Sequence, residues 1–201
     1  MTTTPIHDGD SGLLLLPQTP LAREVVELVT RTETPSIANH SIRSYLYARL
    51  VGAYRGLVAE RDYDPELLFF ACVLHDIGLT EDANKGQRFE VDGADFAAEF
   101  LTRRGVGAAQ VDTVWQAIAL NMSLRIAERR SALCALTLAG VTADLGVATT
   151  FMPDATAAAI HSAYLAGGWT PRWRCASEGV RTALQALEGG APHLVAIQAR
   201  R

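Results

Sequence analysis

The chain has 201 residues, 49% of them hydrophobic, which is enough for one domain with a sizeable core and contains nothing that forces a second. A formal net charge of −4, with only short basic clusters such as Arg129 and Arg130, leaves no electrostatic footprint for nucleic acid. Three widely spaced cysteines, Cys72, Cys134 and Cys175, form no CxxC pair; they argue against a disulfide framework or a thiolate zinc site and fit a reducing cytoplasm.

Residues 1–17 are rich in Thr, Asp, Gly and Pro and read as a mobile tail whose LLLL patch can lie on the core. That apolar run has no basic region before it and is far shorter than the ~18 residues of a membrane span, so neither a signal peptide nor a membrane contact is expected. Thr19-Pro20, Thr34-Pro35 and Asp64-Pro65 each put an oxygen-bearing cap before a proline, so helices are predicted to begin near 20, 35 and 65. Further helices are predicted over 92–104, 108–122 and 131–147. The last of these is nearly all apolar and therefore central. Two more are expected over 153–166 and 173–187, with Gly189-Gly190 as a stop. Strand-like alternation is absent, so the fold class is all-α: a single-domain helical bundle over 18–190, with a C-terminal tail at 191–201.

The third helix runs LLFFACVLHDI and is predicted to stop at Gly78, which places His75 and Asp76 in its last turn, about 100° apart around the axis. Taken alone, His75 reads equally well as a core histidine bonded to a carbonyl, and Asp76 as a carboxylate paired with an arginine. The tail's His7-Asp8 is read as solvated. His40 lies on a helix whose Ile37, Tyr45 and Leu46 look core-facing, and Asp144 is the one acid of an almost wholly apolar helix. A divalent cation would satisfy all four buried groups together, and two imidazoles with two carboxylates suit zinc, iron or manganese.

The ordered set His40, His75-Asp76, Asp144 resembles the HD-domain superfamily of metal-dependent hydrolases. The blocks LPQTPLAREVVELV, NHSIRSYLYARL, LLFFACVLHDIGLT, RFEVDGADFAAEFL and VWQAIAL are similar to those of its cyanamide hydratase-like branch. The resemblance implies an HD-type helical bundle with His40, His75, Asp76 and Asp144 as ligands of one divalent metal ion, zinc first and iron or manganese as alternatives. It also implies an enzyme that adds metal-activated water to a small C≡N-type molecule. Its alternatives are a phosphohydrolase acting on a nucleotide or other phosphomonoester, and a metal-stabilised binding module without turnover. HD folds often pair, so a homodimer is compatible with this reading; the expected partner is a small-molecule substrate.

The sequence departs from the family pattern at Asn121, where relatives often have histidine, and at Leu79, where many have threonine. No histidine occurs between His75 and His161, which points to one metal rather than two. Asp76 is assigned a second role as proton acceptor, since a carboxylate bound through one oxygen leaves the other free. Arg43 is read as a clamp on a carboxylate ligand or a substrate anchor, with a surface ion pair as the equal alternative. Asn121 is read as a pocket residue or a helix cap. The charged segment 80–92 is a solvated loop or a lid in which Asp92 caps the next helix and Phe89 folds inward. Trp115, Tyr45, Tyr47 and Trp169 line the site or simply fill the core. His161 and His193 are taken as structural.

Overall fold

The structure, a computed structural model, describes residues 15–147, 149, 152 and 154–164. The tail before residue 15, the helix expected over 173–187, Trp169, Cys175 and His193 lie outside the described residues. Of the LLLL patch, Leu15 is exposed while Leu16 packs against the core.

The first three helices begin where the capped prolines put them: α1 Pro20–Thr32, α2 Pro35–Tyr54 and α3 Pro65–Val73. Thr19 accepts from the Ala22 N–H and Asp64 from the N–H groups of Glu66 and Leu67, whereas Thr34 makes no side-chain cap bond. Then follow α4 Phe89–Thr102, α5 Ala108–Ala119, the short α6 Ala127–Arg130, α7 Ala132–Asp144 and α8 Asp154–Ala163. No strand occurs among the described residues, and the fold is all-α. No helix among them is long and apolar enough to cross a membrane.

Helix α7 is central, as its composition requires, but α2 is buried on nearly every side as well, with Ser41, Arg43 and Ser44 inside alongside Tyr45, Leu46 and Tyr47; Ile37 is only half-buried. These two helices form the most extensive interface. Their backbones touch at Gly140, where an added Cβ would lie 2.1 Å from the Ser44 carbonyl oxygen and 2.7 Å from the Ala48 Cβ. Only glycine permits that approach. It sets His40 and Arg43 of α2 opposite Asp144, one turn beyond Gly140.

Several boundaries differ from the prediction, α5 ending at Ala119 rather than at 122 and α7 at Asp144 rather than at 147, and two of the differences follow from one packing contact. Helix α3 ends at Val73, so His75 and Asp76 lie in a turn that leads into a 3₁₀ segment, Ile77–Leu79, rather than in the helix's last turn. Gly78 is pressed against the start of α4: a Cβ there would lie 1.9 Å from the Phe89 carbonyl oxygen and 2.7 Å from the Gly93 nitrogen. The chain tightens to make that contact. Helix α4 starts at Phe89 rather than at Asp92, and Asp92 instead accepts the backbone N–H groups of Lys85 and Gln87, bracing the loop from inside. Most of residues 81–88 are exposed, as a solvated loop would be, and Phe89 is half-buried.

Candidate metal centre

His75 is 1% exposed and its Nδ1 lies 2.8 Å from the Cys72 carbonyl. A carbonyl can only accept, so Nδ1 carries the proton and Nε2 keeps a free lone pair. Burial lowers the pKa of this imidazole even though Asp76 beside it acts the other way. His40, partly exposed, points Nδ1 at Asp144 Oδ2 at 2.7 Å, and the same logic frees its Nε2. The two rings meet edge to face with centroids 5.2 Å apart.

Asp76 Oδ2 lies 3.3 Å from His75 Nε2 and 4.0 Å from His40 Nε2. His40, His75 and Asp76 each offer one donor atom, all within 4.8 Å of one another, and they form the metal-competent group among the described residues. The donor set is chemically apt: two neutral imidazole nitrogens, each oriented through its other nitrogen, and one carboxylate oxygen.

Asp144, the last residue of α7, is brought to the same place but faces it from behind. It is outside the three-residue group and is held by Arg43, whose Nε donates to Oδ1 at 2.7 Å and Nη2 to Oδ2 at 2.9 Å. Burial pushes the Asp144 pKa up, but the bonds from His40 and Arg43 more than offset this and leave it below the usual carboxylate value. Arg43 is 1% exposed, so the surface ion-pair alternative does not hold: it is the clamp on Asp144, and its Nη1 also donates to the Tyr164 carbonyl at 3.3 Å.

Asn121 falls in the turn after α5, fully buried; its Nδ2 donates to the Ile118 carbonyl at 2.7 Å and its Oδ1 has no hydrogen-bond partner among the described residues. No hydrogen bond or ion pair among them joins it to the histidines. Trp115 is bonded to Asp95 and Tyr45 stacks on Phe69, both as parts of the packing. Leu79 is exposed and lines an open cleft of about 570 Å³, together with Thr80, Glu81 and Asp82 from one side and Arg31 and Thr32 at the end of α1 from the other.

Two residues at this centre escaped the sequence reading. His161 on α8 places Nε2 3.9 Å from Asp144 Oδ1 and stacks beside Tyr47; nothing in its local sequence distinguishes it from a surface histidine. Glu33, the C-cap of α1, is 7% exposed, and neither of its carboxylate oxygens has a hydrogen-bond partner among the described residues. An acid at a helix C-terminus opposes the macrodipole, and that was the available signal.

Residues 37–145 match the HD domain family, a span that runs from just before His40 to just past Asp144. The chain belongs to the HD domain family. HD domains are metal-dependent hydrolases that bind divalent ions, and the grouped His40, His75 and Asp76 are consistent with that property. The chain is also similar to two proteins of Saccharomyces cerevisiae, the cyanamide hydratases DDI2 and DDI3. Each is 30% identical over 111 residues, covering 54% of this chain and 48% of the relative. The chain thus spans about half the length of the curated relatives it matches.

Proposed function

We propose that this HD domain is a metal-dependent hydratase that adds water to a small uncharged C≡N-type molecule, cyanamide- or nitrile-like. The observation that carries the reading is the pair of histidines whose Nδ1 atoms are engaged and whose Nε2 atoms are left facing Asp76 Oδ2. Similarity to the yeast cyanamide hydratases supports the choice of substrate.

In this proposal His40, His75 and Asp76 hold the ion, zinc first, with iron or manganese as alternatives. Asp144 completes the site, whether as the fourth ligand the family pattern implies or, as its 2.7 Å contact with His40 Nδ1 favours, as the carboxylate that fixes that ring. A divalent ion held there would supply a coordinated water whose pKa falls from 15.7 toward about 7, and would polarise the atom under attack. The protein does the rest. The Cys72 carbonyl and Asp144 lock the two imidazoles in one tautomer, Arg43 holds Asp144 still, and in this reading the second oxygen of Asp76 takes a proton from the attacking water. Asn121 is proposed as a pocket residue, since its buried Oδ1 is left to accept a bond from a ligand N–H.

A phosphomonoester fits less well. Of the cations such a substrate would need, Arg43 is engaged by Asp144 and Arg88 by Glu90, which leaves Lys85 on the exposed loop, and Arg31 shares its cleft with Glu81 and Asp82. The test is to assay metal-loaded protein with cyanamide and with p-nitrophenyl phosphate. Urea formation without phosphatase turnover is the expected result, and phosphatase turnover without hydration defeats the proposal. Inactivity on a broad nitrile, amide and phosphoester panel, with metal removal still lowering Tm, would leave a metal-stabilised binding module.

A further inference from the structure

A carboxyl group buried with both oxygens unpaired is among the costliest arrangements a fold can hold, and such a group calls for a ligand, a water or an ion. Glu33 is in that position. The Ser41 hydroxyl beside it is buried and also without a hydrogen-bond partner among the described residues, close enough to favour the ionised carboxyl but out of bonding geometry. Three features relate Glu33 to the metal centre. Ser41 directly follows His40 in the chain, the Asp76 charge acts on the Glu33 carboxyl, and the preceding residues Arg31 and Thr32 line the cleft whose other wall begins three residues after Asp76. Glu33 is not among the residues whose donor atoms cluster for an ion. Burial, and then the neighbouring Asp76, push its pKa up to about 8.

We propose that Glu33 is a catalytic residue of this centre, meeting the nitrogen of a small uncharged C≡N-type substrate and delivering the proton that nitrogen takes up. The proposal rests on the hydratase reading. Water's oxygen bonds to the carbon while one C–N π pair withdraws onto nitrogen, which takes the Glu33 proton. The proton lost by the water passes to the free oxygen of Asp76, and its return to Glu33 restores both groups. For cyanamide the adduct tautomerises to urea, with one water consumed and no change of oxidation state.

The test compares wild type, Glu33→Gln and Glu33→Ala for metal stoichiometry, Tm, cyanamide binding by calorimetry and urea formation. Glutamine keeps the shape and a donor but cannot deliver a proton. It should retain metal and cyanamide affinity, with Tm no lower than that of the wild type, while kcat falls about 10²- to 10⁴-fold. Alanine, metal still bound, should also weaken cyanamide binding about tenfold, the loss of one neutral hydrogen bond. Glu33→Gln turnover within threefold of wild type overturns the proposal, as does unchanged cyanamide affinity in Glu33→Ala, which would mean the carboxyl meets buried water only. Wild type that binds cyanamide but makes no urea defeats the hydratase reading alone, and Glu33 as the group that meets the substrate is then decided by the alanine ratio. Wild type that does neither removes both.

Discussion

Replacing Arg43 with leucine tests the electrostatic frame of the site most directly. Arg43 is 1% exposed and gives two charge-assisted bonds, of 2.7 and 2.9 Å, to an Asp144 side chain that is wholly buried. Removing one member of such a pair leaves an uncompensated charge and costs about 3–5 kcal/mol, against about 5–15 kcal/mol for a whole domain. At 2–4 °C per kcal/mol for a chain of this size, Tm should fall by roughly 10 °C. Asp144→Leu alone should be comparably damaging, because Arg43 is then the stranded partner. The double variant Arg43→Leu/Asp144→Leu should recover much of the loss, since a well-packed apolar pair can replace a buried ion pair. Urea denaturation of metal-stripped protein, followed by circular dichroism, gives the four corners of the cycle. Metal titration of the folded Arg43→Leu protein should show affinity 10- to 100-fold weaker through loss of the group that holds Asp144 against His40. A single variant costing under about 1 kcal/mol, or two single losses that simply add, would refute the reasoning, because then no desolvated pair holds that corner.

Gly140→Ala should cost about 1–3 kcal/mol in urea denaturation and reduce metal affinity as well, because a methyl 2.1 Å from the Ser44 carbonyl oxygen pushes α2, with His40, away from α7; unchanged stability would show that the two helices part freely. His75→Ala and Asp76→Ala should each abolish stoichiometric metal in elemental analysis. Chelation of the wild type should lower stability by about 2.7 kcal/mol relative to protein holding metal at a hundred times its Kd. In metal-free protein Glu33 makes folding pH-dependent. Its pKa is raised from 4.5 to about 8, so its stabilising contribution is complete below 4.5 and is lost as pH climbs through 8, a span worth about 5 kcal/mol. Glu33→Gln should flatten that decline between pH 4.5 and 8, and identical pH profiles for the two proteins would show that Glu33 is not buried as described.

What was legible in the sequence was whatever a single segment decides for itself. A capped proline starts a helix by satisfying or removing orphan N–H groups, and Thr19, Thr34 and Asp64 each precede a helix that begins on cue. The His-Asp pair was visible because carboxylate and imidazole stand directly after an apolar run. Where the chain's course depends on a neighbour, local reasoning stops short. The α3 helix would have continued through His75 on its own pattern, but Gly78 must reach the backbone at Phe89 and Gly93, so the chain tightens and turns the pair out of the helix. The same limit applies to charge. Arg43, three residues after His40, read equally well as surface or clamp, and its burial comes from tertiary neighbours, Asp144 of α7 and the Tyr164 carbonyl after α8. Glu33 marks the limit most clearly: a polar residue at the end of an amphipathic helix is ordinarily solvated, and only the tertiary packing buries this one with neither oxygen paired among the described residues. The conflict between its local preference and its observed burial is what motivates the proposal that it acts at the metal centre.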